Sequence, residues 1–535
     1  MILNKNYIGF EESNQFTKLI LDYVNQKTNT KQFYSHFPSI ENFSTQIKEK
    51  TFDSNSRKIL ANELLKQYEY SNIILTKNST TLQQINLLEQ ENTYTITTGH
   101  QLCLFTGPLY FIYKILSVIK WCEELKTKYP TYNFVPVFWM ASEDHDFAEI
   151  NHIYTSEGKI NWNINSNNKP VGQLLLQNFS SVTDNVAKLA TNNFAKKQLE
   201  EWIDCYNKSK NLSTATRNLV HSLFAEKGLI IIDGDSKVLK KELVEIIKKD
   251  LFENINYTAI TSSNKLLKSI GYKTQVNGRE INFFYINNSG RSLIKKQKEH
   301  YRVENTDKIL TIEQLINEIE NYPERFSPNV IIRPLYQEKI LPNLAYVGGP
   351  GEIAYWLQLK SLFQVNNIHF PILLLRSFVY LIQAKDFNQL KKAGITLQDL
   401  FRTDKEIERK LIALNKDGGH KEKWEEINDC LQQIIDIAKK SDNKLSSELI
   451  KLKTSNNKQL KSIFKKLEKI QGSKVSTKHK KVKSIKNKYF PNKLPQERYF
   501  NILEYGKTES IKELIHSIYN EISTTQNEIQ LLQIY

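Results

Sequence analysis

Cysteine is scarce and scattered in this chain. Cys103, Cys122, Cys205 and Cys430 include no C-x-x-C pair, which argues against a disulfide framework and against a structural zinc site. Long apolar runs are missing too. No stretch approaches the ~20 apolar residues needed to cross a bilayer. The N-terminus turns polar and acidic by Glu11 and Glu12 without the apolar core of a signal peptide. A cytoplasmic location and no membrane partner are therefore expected. The chain also lacks a G-x-x-x-x-G-K-[ST] phosphate loop and a well-placed G-x-G-x-x-G. It has no interleaved aromatic-basic motif on a recognisable binding module, so a nucleic-acid partner is not expected.

What remains is a globular chain of 535 residues, 40% apolar and 25% charged. That length suggests about three or four structural units. The net charge of +16 is unevenly spread. Lys474, Lys478, Lys480, Lys481, Lys483, Lys486, Lys488 and Lys493 supply half of it, with no carboxylate before Glu497. Such a run either steers anionic partners or forms a solvated, mobile connector.

Residues 1 to about 92 read as helical, with period-3.6 spacing around Arg57–Leu65. Tyr94–Thr98 predicts a short strand ended by Gly99, and Pro108 suits the first turn of a helix carrying Ile112, Ile115, Leu116, Ile119 and Cys122. The apolar run Phe134–Ala141 predicts a strand covered on both faces, beginning after Pro136. A further strand–helix pair is expected from Gly228–Asp233 with its helix at Lys240–Leu251, and two more buried strands at Asn329–Arg333 and Pro371–Arg376. Together these predict an α/β fold around a doubly wound parallel sheet with insertions. After about Ala384, Trp424, Ile427, Leu431, Ile434 and Ala438 repeat at heptad spacing. Ser441-Asp442 is a break, and Leu445, Leu449, Leu452, Ile463, Leu467 and Ile470 resume the pattern around the polar Asn456 and Gln459. Two antiparallel helices follow, acting either as a dimerisation arm or as an intramolecular hairpin. The expected parts are a helical region and first half of the core (1–155), inserted α/β segments (156–325) and a second core part with a Gly-rich loop (326–384). The helical arm (385–475) and a basic linker with a C-terminal segment (476–535) complete the chain.

Two loops should carry the chemistry, because parallel strands deliver both to one sheet edge, where open α/β sheets bind ligands. The first is Gly99-His100-Gln101-Leu102-Cys103-Leu104-Phe105-Thr106-Gly107-Pro108. Its glycines allow close backbone approach, and the helix start after it favours an anion. His100 can exchange a proton near neutral pH, and Lys114 can reach toward a bound anion. The second loop crowds Glu143, Asp144, His145 and Asp146 together, with Asn151 and His152 close behind. Such crowding suits general acid–base work, although Asp144 or Asp146 can equally cap a helix. No standard zinc spacing appears, so no metal ligand is assigned and the metal requirement stays open. A third element joins Arg333 to Tyr346-Val347-Gly348-Gly349-Pro350-Gly351-Glu352. It forms either a tight carboxylate or phosphate cradle with Glu352 orienting an amine, or a rigid helix start. Arg376 ends an apolar strand, and it and Arg333 suit a carboxylate or an internal salt bridge.

Taken together, Thr98-Gly99-His100-Gln101, Phe105–Tyr110, Pro136–Trp139, Glu143–Phe147, Glu149–His152, Phe326–Glu338 and Leu344–Ile353 resemble the bacillithiol biosynthesis cysteine-adding enzyme family over nearly the whole chain. The resemblance implies a Rossmann-like core with inserted connecting segments and a coiled-coil arm supporting a homodimer. It implies a ligase that joins L-cysteine, by an amide bond, to the glucosamine amine of glucosaminyl malate. The resemblance leaves the activation of the carboxyl open; because such a core resembles class I nucleotidyltransferases and aminoacyl-tRNA synthetases, ATP or another nucleotide, acting through an adenylate, is the candidate cofactor. In that setting Asp144, His145 or Asp146 would deprotonate the amine or hold cysteine's ammonium. His100, Thr106 and the helix-start amides would stabilise a phosphate or oxyanion, with Gly99, Gln101, Gly107, Lys114, Glu143, Asn151 and His152 around them. Arg333, Arg376, Tyr346 and the Gly348, Gly349, Gly351, Glu352 loop would take carboxylates. Two alternatives stand beside this: a metal-dependent hydrolase built on Glu143–His152, and a nucleic-acid-binding coiled-coil protein.

Overall fold

A computed structural model describes residues 2–288, 290–415, 419–506 and 510–535. The chain divides into two compact units, the larger formed mainly by residues 7–380 and 495–530 and the smaller mainly by residues 381–494.

The strands of the two largest sheets are numbered in chain order: β1 (Thr93–His100), β2 (Asn133–Met140), β3 (Ile230–Asp233), β4 (Phe283–Asn287), β5 (Gly290–Gln297), β6 (His300–Val303), β7 (Ile309–Thr311), β8 (Phe326–Pro328), β9 (Asn343–Gly348) and β10 (Ile372–Leu375). The larger unit is built on a parallel sheet of order β10-β9-β1-β2-β3. Chain order runs outward from β1 to β3 on one side and to β9 and β10 on the other. The reversal of winding between β1 and β9 is the place where such sheets open a crevice. Threonines are tolerated in β1, buried from Thr93 to Gly99, because each hydroxyl finds a partner. Thr95 and Thr97 donate to Asn343 Oδ1 at 3.1 and 2.8 Å, and Thr98 donates to Val347 O at 2.7 Å.

Helix α1 (Tyr110–Lys128) connects β1 to β2 and buries Ile112, Ile115, Leu116, Ile119 and Cys122, the face its spacing predicts. Pro108 stands two residues before it. Between β3 and β9 the chain inserts an antiparallel sheet of order β7-β6-β5-β4-β8.

Several expectations need correction. The N-terminal region is not all helical, since Ile2–Gly9 is a strand in a small sheet whose neighbouring strand is Glu528–Ile534. A partner at the far end of the chain leaves no local periodicity. Strand β2 starts at Asn133 with Pro136 inside it. Its ladder to β3 begins only at Val137, so the proline sits where one neighbour is missing. Asn329–Arg333 is not a strand. Asn329 Oδ1 accepts from Ile331 N and Ile332 N at 2.9 and 3.2 Å, starting helix α2 (Ile332–Ile340). That side-chain cap overrides the β-branched run Val330-Ile331-Ile332. Helix α3 (Pro350–Trp356) follows β9. The single helix expected at Lys240–Leu251 is broken into short helical segments.

In the smaller unit, α4 (Gly419–Ser441) and α5 (Asn443–Tyr489) run antiparallel. Trp424 Nε1 donates to Asn457 Oδ1 at 2.9 Å, and Lys453 Nζ donates to Gln432 Oε1 at 2.7 Å. Asp442 caps α5 through Lys444 N at 2.8 Å, at the break the sequence marks. The lysine run is no mobile connector, because Lys474–Lys488 continue α5. Asp404 pairs with Lys483 and Lys486, and Asp386 with Lys488, which relieves the like-charge repulsion along the helix.

Candidate active site

Parallel pairing sets β1 and β2 in register, Gly99 opposite Trp139 and His100 opposite Met140. Both therefore end together, and Ala141 N donates to His100 O at 3.0 Å. The two loops meet beyond that edge, where Gln101 Nε2 lies 2.5 Å from Asp144 Oδ2. The inserted sheet adds Arg291 from β5. Its Nη1 lies 3.4 Å from Asp144 Oδ1 and 3.2 Å from His145 Nδ1, while its Nε and Nη2 donate to Ser327 Oγ and Pro328 O at 3.0 and 2.6 Å. The guanidinium also lies 4.0 Å from the Phe284 ring centroid. These groups wall a cavity of about 450 Å³ that also reaches Glu143, Arg333, Tyr346 and Glu352.

A second cavity, about 420 Å³, shares the wall formed by Gly99, His100, Gln101, Glu352 and Tyr355. Lys114, Gly349, Gly351 and Arg376 line it from the helix side. Glu352 organises that wall. Its two oxygens accept from Lys114 Nζ at 2.9 and 2.8 Å, and it also accepts from Tyr346 OH at 2.6 Å and Gly349 N at 2.9 Å. Burial opposes its ionisation, but the Lys114 ammonium and these donors hold its carboxyl below the usual range.

Beneath the second loop, Lys240 is inaccessible to solvent and pairs with Glu143 at 2.6 Å and Asp235 at 2.9 Å. Burial works against its charge, yet the two carboxylates raise its pKa. Asp144 is likewise desolvated, but the His145 contact and the Arg291 guanidinium hold it well below the usual carboxylate range. At neutral pH the cleft thus presents an ionised carboxylate beside an imidazole and a guanidinium, a set able to hold an ammonium ion or take its proton.

Other expected residues sit differently. His100 does not titrate near neutrality, because burial of its ring and the nearby Lys114 push it down to about 4. Its Nδ1 lies 2.8 Å from Gln101 O, so the neutral ring carries its proton there. Thr106 and Gly107 line neither cavity. The amides expected to cradle an anion are used by the chain itself: Phe105 N donates to Tyr206 OH at 2.7 Å, Gly107 N to Leu104 O at 2.7 Å and Leu109 N to Phe500 O at 2.9 Å, while Asn501 Nδ2 holds the turn by donating to Phe105 O and Gly107 O at 2.7 and 2.5 Å. Gly107 is needed for the turn, with φ +64° and Cys103 Cβ only 2.5 Å from where its own Cβ would lie. Asp146 caps a short helical turn through Glu149 N and faces a separate surface pocket with His145 and Asn151. His152 lies in a hairpin outside both cavities, 3.0 Å from Asn151 Oδ1, so the Glu143–His152 cluster does not converge on one point. Gly348 ends β9 behind the cleft. Arg376 is committed to Glu497 in a buried bidentate pair at 2.8 and 2.5 Å. An internal carboxylate has taken the partner expected to be substrate.

Arg291, Arg279, Phe284 and Lys240 escaped sequence reasoning. The first three stand on the inserted segment and enter the site only through tertiary packing, and Lys240 resembles any helix-surface lysine. Among the described residues no group of three or more His, Cys, Asp or Glu could hold a metal ion. No helix among the described residues is long and apolar enough to cross a membrane.

Comparison with known proteins agrees with this architecture. Residues 3–377 match the family model of the bacillithiol biosynthesis BshC N-terminal Rossmann-like domain, and residues 379–534 match that of the BshC C-terminal coiled-coil domain. A Flavobacterium johnsoniae protein is 42% identical over 508 residues, covering 93% of this chain and 94% of its own. A Flavobacterium psychrophilum protein is 42% identical over 530 residues, covering 96% and 97%. A Bacillus cereus protein is 28% identical over 508 residues, covering 91% and 93%. All three bear the name "Putative cysteine ligase BshC". With both domain models matched in order along almost the full length, this chain belongs to the bacillithiol biosynthesis BshC family.

Proposed function

We propose that the protein is a ligase that forms an amide between the carboxyl group of L-cysteine and the glucosamine amine of glucosaminyl malate. The observation that carries this reading is the Asp144–His145–Arg291 group beyond the joint end of β1 and β2, facing a cavity walled by cations and apolar surface that also reaches Tyr346 of β9. A carboxylate and an ammonium ion form only a salt at neutral pH, so the carboxyl must be activated. ATP, when bound, would supply that activation. The residues fit a nucleotide: Arg279 and Arg333 offer cations for phosphates, and Val276, Phe284 and Val330 offer apolar surface for a base. Ionised Asp144 would hold the acceptor ammonium until it gives one proton to solvent; His145 would accept the second proton, lost as the C–N bond forms and the activating phosphate-bearing group leaves the carbonyl. Gln101 would keep Asp144 in place.

The protein would act in the cytoplasm as a homodimer through the coiled coil. In support, Cys103, Cys122, Cys205 and Cys430 are all free thiols, as a reducing compartment favours. Ile427, Ile434, Leu452, Ile463 and Ile470 of the arm are each about half exposed, an unusual cost for an unpartnered helix pair. The test is incubation of the purified protein with L-cysteine and glucosaminyl malate, with and without ATP, followed by mass spectrometry. A cysteinyl amide product formed only with ATP supports the reading. No product under either condition refutes it.

A further inference from the structure

We propose that the second cavity binds the anionic end of a substrate, a carboxylate or phosphate, through Arg498 of the C-terminal segment. Three cations line that cavity, Lys114, Arg376 and Arg498. Two are already neutralised at contact distance. Lys114 is held by both oxygens of Glu352, and Arg376 by both oxygens of the buried Glu497. Arg498 is exposed, and its side chain makes no ion pair or hydrogen bond among the described residues.

The backbone around Arg498 is nevertheless fixed. Glu497 on one side is anchored by Arg376. On the other, Tyr499 stacks on Tyr154 with ring centroids 4.5 Å apart, Phe500 O accepts from Leu109 N, and buried Asn501 is bonded to Phe105 and Gly107. A cation held on so rigid a base loses less freedom on binding than a cation on a free tail. Its planar fork suits carboxylate and phosphate oxygens. Two carboxylates also line the cavity: Glu352, whose charge Lys114 offsets, and Glu149, whose pKa is raised by burial and by Asp144 and Asp146.

The wall shared with the first cavity includes Gln101, which touches Asp144. A molecule anchored at Arg498 can therefore present its other end to the reacting groups. Resting on the function proposed above, the anchored end is the malate dicarboxylate of the acceptor, and a nucleotide phosphate shares the same chemistry.

Calorimetric titration of the full-length protein and its Arg498→Ala and Arg498→Lys variants separates these sources. The ligands are glucosaminyl malate, methyl glucosaminide lacking malate, and ATP. Arg498→Ala should weaken glucosaminyl malate by about 10- to 100-fold, with methyl glucosaminide unchanged and Arg498→Lys in between. The same loss confined to ATP keeps the anion site and reassigns it to phosphate, whether or not the wild-type protein forms the amide product. Equal affinity of wild type and Arg498→Ala for both charged ligands overturns the proposal, as does failure of the wild type to bind either.

Discussion

Lys240 Nζ lies 2.6 Å from Glu143 Oε1 under the loop that carries Asp144 and His145, in a position no solvent reaches. The same ammonium pairs with Asp235 at 2.9 Å and donates to Glu324 O at 3.1 Å. One buried cation thus ties the end of β2 to the turn after β3 and to the segment that leads into β8. Glu143, expected to touch a ligand, lines the first cavity but spends its charge on this internal pair.

Replacing Lys240 with Met should be costly, because two carboxylates would be left buried without their cation. Breaking such a pair from one side typically costs about 3–5 kcal/mol. Urea unfolding followed by fluorescence should show the loss, and Lys240→Met combined with Glu143→Gln should recover part of it. Stability unchanged in the single variant would mean that the pair contributes nothing.

Arg291 should matter for turnover more than for folding. Its fork serves Asp144, His145, Ser327 and Pro328 together, which a lysine cannot do. Arg291→Lys is expected to lower kcat by about 100-fold or more, the scale set by loss of one positioned polar group at a reacting centre. Steady-state assay of the variant, alongside its thermal midpoint, checks both halves. A fully active Arg291→Lys enzyme would remove this residue from the site.

The pH dependence of stability should carry a signature of His100. Its ring titrates near 4 in the folded protein and near 6.5 when unfolded. Between those values the unfolded chain binds more protons, so stability falls as pH drops from 6.5 toward 4. The full effect would be at most about 3 kcal/mol. His100→Gln should remove that slope while leaving stability at pH 8 nearly unchanged. Comparing the two proteins cancels contributions of opposite sign, such as Asp250, which burial raises to about 6.

Much of this site was legible because both loops follow apolar strands within one βαβ unit, and β1 and β2 come out parallel, adjacent and in register. The position of Asp144 and His145 at the sheet edge follows from that alone. What stayed hidden depends on contacts between distant segments. Arg376 looked available for a substrate carboxylate because nothing near it in sequence is acidic, and Glu497 supplies its partner from the C-terminal segment. The glycine turn at Gly107 reads as an anion cradle in the sequence, but its amides are bonded to Leu104 O, Tyr206 OH and Phe500 O. The β-branched neighbours of Arg333 predict a strand, and the Asn329 cap that makes it helical is a side-chain bond that strand patterning does not register. Charge pairing and side-chain caps, unlike strand patterning, are decided by partners that local periodicity does not encode.

The helical arm gives a test of assembly. Leu452→Lys with Ile463→Lys should break a homodimer without unfolding either helix, since both side chains are about half exposed in the single chain. Sedimentation velocity at micromolar concentration should move from dimer to monomer. A wild-type protein that sediments as a monomer would refute dimerisation through the arm.

The most direct test of the cleft as the reacting centre is the cysteinyl-amide assay on an Asp144→Ala/His145→Ala variant shown by circular dichroism and thermal melting to be folded. Product formation should drop by at least about 100-fold relative to wild type, the range expected when positioned acid–base groups are removed. Wild-type turnover by the folded double variant would place the chemistry elsewhere.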